Sequence, residues 1–387
     1  MHMKILVIGC GFQSYGAALD LAKFVKPSEL ILADFNLTAA QKLQEWLKYP
    51  QAKAVSIDAG NVDAVAKLAA GCSLILNATP YKFAVDITKA AIQAKVPMVD
   101  LGGDTDMVLK QLEYSEQAKS AGITIIPDCG MGPGITNVTV GHAMELLDEA
   151  DEILTRDGGL PQNPVAPLNY VLLFAIETLT NEYTGKTTAV RNGKIVEIDS
   201  LTEIETIEMP APIGKVEATH GMGMLSTLPW TYQGRIKNMD NKFVRYPGHL
   251  QFIDMLRKAG FYSREVVQSE KGPIEPRAAT KAILEKCLTK PGTPDVSIIQ
   301  TVSRGRKGSQ KFEITHEIMD FSDPETGLTS MARTTGFSAA IAGQMIMDGR
   351  VKEKGVIPPE LALPKLTFFE ELQKRGIKFN WSMKTIS

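Results

Sequence analysis

The apolar positions of this chain fall into two regimes. Over roughly the first third, short near-continuous apolar runs alternate with stretches of helical spacing. "KILVIG" from Lys4 ends on glycine, and Tyr15, Ala18, Leu19 and Ala22 then mark one face of a helix. "LILAD", "AVSID", "SLILNATP", "VPMVDLGG" and "ITIIPD" repeat the strand, with "TAAQKLQEWL" and the segment from Thr105 to Ala121 among the helices between them. Strands that are apolar on both faces and separated by helices predict a doubly wound parallel sheet, an α/β Rossmann fold. Such sheets bind ligands outside the carboxyl ends of their strands.

After Asp128 the pattern changes. "GMGPGITNVTVGHAMELL" reads as a loop running into a helix, with Thr136 or Asn137 as its cap. From about Gly158 period-two runs take over: "TAVRNGKIVEI" turns at Asn192-Gly193, and "VSIIQTVSRGRKGSQKFEITHEIMDF" forms a second hairpin. "SMARTTGFSAAIAGQMIM", Ser330 to Met347, is a helix of small residues suited to close packing. The predicted organisation is a Rossmann domain of residues 1–128 plus 330–387, interrupted by an α+β domain of residues 129–329 with a mostly antiparallel sheet.

Composition sharpens this picture. A chain of 387 residues exceeds one ordinary core, and 44% hydrophobic with 22% charged residues is an average soluble composition. A net charge of −2 without blocks of like charge gives no footprint for nucleic acid or a membrane surface. "YVLLFAI" is far too short to span a bilayer, and the strand at Lys4 leaves no room for a secretory signal, so a cytoplasmic protein is expected. Met1 and His2 read as additions ahead of a start at Met3. The four cysteines lie far apart without a CxxC pair, so neither a disulfide framework nor a metal site is expected.

Gly9, Gly11 and Ser14, with Phe12 and Gln13 between them, follow the G-x-G-x-x-G/A pattern with serine in third place. The loop follows a strand and opens a helix, whose N-terminus offers N–H groups and dipole to a pyrophosphate. Asp34 ends the second strand about 20 residues on, where a carboxylate accepts from the ribose of NAD and repels the 2′-phosphate of NADP. NAD is therefore the expected cofactor. A second glycine-rich stretch, "PDCGMGPGITN", sits at the end of the sixth strand, between cofactor and second domain. Its glycines would let backbone approach nicotinamide or substrate, with the helix from Ile135 pointing its positive end into the cleft. In "KFVRYPGHLQFIDMLRKAGF", Arg245 offers a fork to a carboxylate and His249 stands at a helix start as proton acceptor or cap.

These stretches, with "NATPYKFAVDITKAAIQAKVPMVDLGGDTDMV" and "GVIPPEL", resemble the saccharopine dehydrogenase-like superfamily. The resemblance is closest to its lysine 6-dehydrogenase branch, through D-x-G-x-x-P-G-x-x-N, "GGLP", "EYT…VRNGK", "RYPGH" and "IPPE" in the same order. It implies a Rossmann domain with an inserted α/β domain, a homodimer, and NAD-dependent oxidative deamination of the ε-amino group of L-lysine. The product would be 2-aminoadipate 6-semialdehyde, cyclising to piperideine-6-carboxylate, with ammonia released. It also places Asn77 and Thr79 at the cofactor.

Such a reaction needs a base, a water site and groups for the amino-acid end of the substrate. His249 is the first choice of base and Asp128 the second; Arg245 is the choice for the carboxylate. Asp100, Asp104 and Asp128 are candidates for the α-ammonium, and Asn137, His220 and Ser226 for the substrate wall. Two alternatives stay open. One is a saccharopine-type or carboxynorspermidine-type enzyme acting on a secondary amine, with Arg235 or Arg304 as a second carboxylate-binding cation. The other is a non-catalytic dinucleotide sensor, favoured if Arg245 and His249 turn away from the cleft.

Overall fold

The computed structural model describes residues 3–387; Met1 and His2 lie outside that range. The expected parallel sheet is present. It comprises β1 (Lys4–Ile8), β2 (Glu29–Asp34), β3 (Ala52–Ser56), β4 (Leu74–Asn77), β5 (Met98–Asp100) and β6 (Thr124–Ile126). They run in the order β3-β2-β1-β4-β5-β6, so the direction of winding reverses at β1. That reversal opens the crevice in which doubly wound sheets take their ligands. Intervening helices begin where short polar side chains accept backbone N–H groups: Asn36 from Thr38, Asn61 from Ala64 and Asp104 from Met107.

The second sheet is built from β7 (Glu149–Pro161), β8 (Lys186–Arg191), β9 (Lys194–Asp199), β10 (Glu205–Met209), β11 (Gly214–Thr219) and β12 (Ile236–Arg245). A short hairpin of β13 (Val267–Ser269) and β14 (Gly272–Ile274) stands apart, and β15 (Asp295–Lys307) pairs with β16 (Gln310–Phe321). Pairing is antiparallel except that β12 lies parallel to β7, which makes the sheet mixed. Asn192 and Gly193 both take positive φ (53° and 75°), as the tight hairpin between β8 and β9 requires.

The chain then returns to the first domain through the helix Ser330–Met347, at the bounds its pattern predicts. Asp295, at the start of β15, anchors it by accepting from Ser330 N (2.7 Å) and Met331 N (3.0 Å). Gly16 and Gly336 let it press onto the helix Phe12–Asp20, because a Cβ at either would overlap the other helix's backbone. β17 (Gly355–Val356) adds a seventh strand beside β6. The expected domain division needs one correction here. β18 (Lys378–Ile386) leaves the Rossmann domain and pairs with β16, closing the edge of the second sheet.

Among the described residues no helix is long and apolar enough to cross a membrane. All four cysteines are free thiols, with Cys10, Cys72 and Cys129 buried.

Candidate functional site

The first glycine loop is shaped for a dinucleotide. Gly9 has φ 92°, and a Cβ on it would stand 2.6 Å from the Ala78 carbonyl carbon. Beside Gly11 there is open space, with nothing within 4 Å of where a Cβ would be. Ser14 stands in the third position of the motif and is buried. Its Oγ donates to Gly9 O (2.6 Å) at the end of β1, while Gly16 makes a separate close approach to the helix Ser330–Met347. Asp34 fixes the loop as well as facing it, since Oδ2 accepts from Cys10 N (2.7 Å) and Oδ1 from Asn36 N (2.8 Å). Asn77 Oδ1 accepts from Thr79 N and Oγ1, shaping the turn after β4. Phe12 is 61% exposed at the rim, and Gln13 reaches across to donate to Leu173 O of the second domain. A glycine turn, free space at the helix start and a carboxylate at the end of β2 fit a dinucleotide.

The second loop is filled by the protein itself. Gly134, at φ 131°, packs against Gly130 so closely that a side chain would overlap it, and it caps the helix Ile135–Leu146. The cap is therefore Gly134, not Thr136 or Asn137. Asn137 is wholly buried and spends both ends internally: Oδ1 accepts from Gly134 N and Nδ2 donates to Glu360 Oε2. Glu360 Oε1 also accepts from Thr227 and Thr231 (2.6 Å each), which pins the loop carrying Ser226.

Ser226 in turn donates to Asp128 Oδ2, and Gly103 N donates to Oδ1 (3.2 Å). Asp128 is 1% exposed, and burial pushes its carboxyl up to about 8, with the nearby charge of Asp100 adding to the rise. Asp100 itself is an anchor, since it accepts from Gly102 N, Asp128 N and Gln111 Nε2. Asp104 is the helix cap described above. The three donors around Asp100 engage both of its oxygens, contrary to the role expected of it, whereas Asp104 spends one oxygen on its cap.

Arg245 and His249 differ most from their expected roles. Arg245 is 1% exposed and stacked between Tyr170 and Phe243, 4.5 Å from each ring centre. It donates to Val244 O (2.9 Å) and to Glu182 Oε2 (2.7 Å), so Glu182, not Arg245, stands toward the cleft. His249 is fully buried between Leu168 O (2.8 Å) and the Tyr183 hydroxyl (2.9 Å). A carbonyl only accepts, so Nδ1 carries the proton and Nε2 accepts from Tyr183. Burial, with Arg245 beside it, holds the ring's pKa down to about 3. Both nitrogens are occupied, and the ring is neutral at working pH.

His220 lies away from the cleft, bonded to Glu203 (3.0 Å). Glu203, His220 and Asp240 bring potential metal ligands within 4.8 Å of one another. Arg191 bridges Glu203 and Asp240, and Arg156 also holds Asp240, so the grouping is a network of ion pairs. Arg235 caps the helix Ile135–Leu146 through Met144 O and Leu147 O, and Arg304 pairs with Glu152 and Glu313. Neither cation reaches the cleft.

Between the two domains lies a small cavity bordered by Gly103, Gly132, Glu182, Gly223 and Met224. The domains touch around it through Asp128–Ser226 and through Asn181 Nδ2 donating to the Tyr81 hydroxyl (2.8 Å).

Residues 5–126 match the family model described as "Saccharopine dehydrogenase NADP binding domain", and residues 130–377 match "Saccharopine dehydrogenase C-terminal domain". The chain belongs to the saccharopine dehydrogenase family. It is 23% identical over 97% of its length to "Carboxyaminopropylagmatine dehydrogenase" of Synechocystis, covering 97% of that protein. It is 22% identical to the mitochondrial "Alpha-aminoadipic semialdehyde synthase" of Mus musculus, and spans only 47% of that relative's length. The fold matches apo saccharopine dehydrogenase (L-Glu forming) from Saccharomyces cerevisiae with a TM-score of 0.79 over 100% of both chains, at 18% identity. As a member of this family the chain carries a dinucleotide-binding domain.

Within this family site, sequence reasoning passed over Glu182, Asp157, Asn241 and Glu360. Glu360 lay in the "IPPE" stretch without a role. Asp157 had a visible signal, a charged "TRD" run entering Gly158-Gly159 in the middle of a buried strand.

Proposed function

We propose that this chain oxidises the amine-bearing carbon of a small basic amino acid, with L-lysine deaminated at its ε-amino group and NAD as the cofactor. Asp128 carries the reading. It is a buried carboxylate at the end of β6, beside the cavity-lining Gly103, with its pKa raised to about 8. Such a group takes a proton from a substrate ammonium near working pH, leaving the neutral amine from which hydride can depart. Ser226 and Gly103 N hold its two oxygens in place. When bound, NAD accepts a hydride from the amine-bearing carbon. The glycine loop from Gly9 to Ser14 would hold its pyrophosphate, Asp34 its ribose, and the Asn77–Thr79 turn would border its nicotinamide half. Water attack on the resulting imine releases ammonia and leaves the 6-semialdehyde.

The cleft also favours a cationic substrate. Glu182 borders the cavity, Arg245 is already paired with it, and Arg235 and Arg304 are engaged elsewhere, so none of these arginines is left for a substrate carboxylate. This supports lysine over saccharopine, which brings several carboxylates. The names of the relatives support the second reading, a dehydrogenase acting on a carboxyalkyl-substituted amine. The buried positions of Arg245 and His249 support a sensor, whereas the raised Asp128 supports catalysis.

The test follows NADH absorbance with NAD or NADP and a panel of L-lysine, L-ornithine, saccharopine and carboxyalkyl polyamines. Lysine turnover with ammonia release, faster with NAD, is the expected result. Turnover of saccharopine or a carboxyalkyl polyamine alone would replace the substrate, and NAD binding without turnover of any member would leave the sensor.

A further inference from the structure

Two acceptor oxygens beside the cleft have no partner. Asp157 on β7 and Asn241 on β12 lie two residues apart in register, Phe243 standing opposite Asp157 and Asn241 opposite Thr155. Side chains two apart along a strand share a face, so both project from the same side of the sheet. That face meets the helix Ile135–Leu146, as the contact of Thr139 with Thr301 (2.9 Å), and of Thr301 with Thr155 (3.2 Å), shows. Asp157 is 4% exposed, and its Oδ1 is buried with no hydrogen-bond partner. Asn241 Nδ2 donates to Met224 O (3.1 Å), but its Oδ1 is equally unpartnered. Gly132 exists here because a Cβ would collide with Asp157 Oδ2. Gly132 and Met224 both border the cavity, so the Asp157 and Asn241 side chains that touch them stand behind its wall.

An unpartnered buried acceptor is destabilising, and two of them on one face of the sheet call for a donor. A carboxylate brings only acceptors and a negative charge. A primary ammonium brings three donors, no acceptor and the complementary charge. Burial pushes the Asp157 carboxyl up to about 7; the Asn241 amide beside it opposes the rise, Glu182 adds to it, and Arg245 and Arg156 oppose it, so an arriving cation would also restore its ionised form.

We propose that Asp157 Oδ1 and Asn241 Oδ1 form a subsite for a primary ammonium of the substrate other than the one oxidised, reached past Gly132 and Met224. The inference rests on reading the cleft as an amine-oxidising site. It gives the second amino group of a basic amino acid or diamine a place that Asp100, engaged by three donors, does not provide.

The test is calorimetric titration of the full chain with NADH bound, above about pH 7 so that Asp157 can ionise. The probes are L-lysine and 6-aminohexanoate, which differ only in the α-amino group, and the diamine cadaverine against pentylamine. Loss of the second amino group should weaken binding about tenfold or more, the equivalent of 1.4 kcal/mol. Asp157→Asn should bring L-lysine down to the level of 6-aminohexanoate while leaving 6-aminohexanoate nearly unchanged. Equal binding of L-lysine and 6-aminohexanoate by the unaltered chain overturns the proposal without any variant, as does an equal loss for both in Asp157→Asn. Discrimination without lysine oxidation upholds the subsite and overturns the deamination reading. Oxidation without discrimination does the reverse.

Discussion

The two glycine-rich loops end strands of the same sheet and spend their glycines in opposite ways. Gly9 admits the backbone of Ala78, but at Gly11 the missing side chain leaves space beside a helix start. In the Gly130–Gly134 loop they admit the protein's own groups: Gly134 closes on Gly130, and Gly132 yields to Asp157. One loop is a vacancy for phosphates, whereas the other lets buried carboxylates crowd together beside the cleft. Crowding is what raises Asp128, because a carboxylate shut from water and facing Asp100 favours its proton. A glycine-rich motif therefore reports close approach without saying what approaches.

The strongest way to break this contrast is to neutralise the filled loop. Asp128→Asn should lower kcat for amine oxidation by about 10²–10⁴-fold, the range for loss of a proton-transfer group. In the unaltered chain the rate should rise with pH through about 8 as Asp128 ionises. Stability should move the other way. Between an ordinary carboxylate value near 3.9 and about 8 the folded chain binds a proton that the unfolded chain does not, so stability falls as pH rises through that window. Melting curves across the window should show this fall, and Asp128→Asn should flatten it. A rate that does not change with pH, or a variant that keeps full activity, would remove Asp128 from the chemistry.

An intermediate effect comes from comparing glycines. Gly134→Ala forces a side chain onto φ 131° and into Gly130, and should cost at least about 1–3 kcal/mol of stability. Gly11→Ala meets nothing within 4 Å and should leave stability within about 0.5 kcal/mol while weakening NAD binding. Urea denaturation and NAD titration of both variants separate the two kinds of loop; equal destabilisation would erase the distinction.

The smallest effect is expected at Asp34. Asp34→Asn keeps an acceptor for Cys10 N, gives up the one for Asn36 N and removes the charge, so the preference for NAD over NADP should narrow about tenfold, near the value of one charge-assisted hydrogen bond. Comparing kcat/KM with the two cofactors measures it.

Much of the frame was legible because local spacing encodes it. Six apolar runs became six parallel strands, the Asn192-Gly193 turn formed its hairpin, and Ser330 to Met347 became one helix, each set by periodicity or turn chemistry within a short window. Ser226 was among the residues that the sequence offered for the substrate wall, and it reaches Asp128. The roles of Arg245 and His249 were not legible. The sequence supplies a cation and an imidazole near a turn, but burial and partners decide what they do, and those partners, Glu182 and Tyr183, lie more than 60 residues away in the chain.

The sequence by itself thus determined the alternating sheet, the first glycine loop with Asp34, and the membership of the chain in its family, since each depends on residues close together or on motifs kept in order. Only the tertiary structure decided that β18 crosses to the second sheet, that Glu360 pins the loop carrying Ser226, and that Asp157 and Asn241 share one face with their oxygens unpaired. The physical reason is that a titratable side chain takes its function from solvent exclusion and from the charges around it. Both are properties of packing between distant segments, and periodicity along the chain does not carry them.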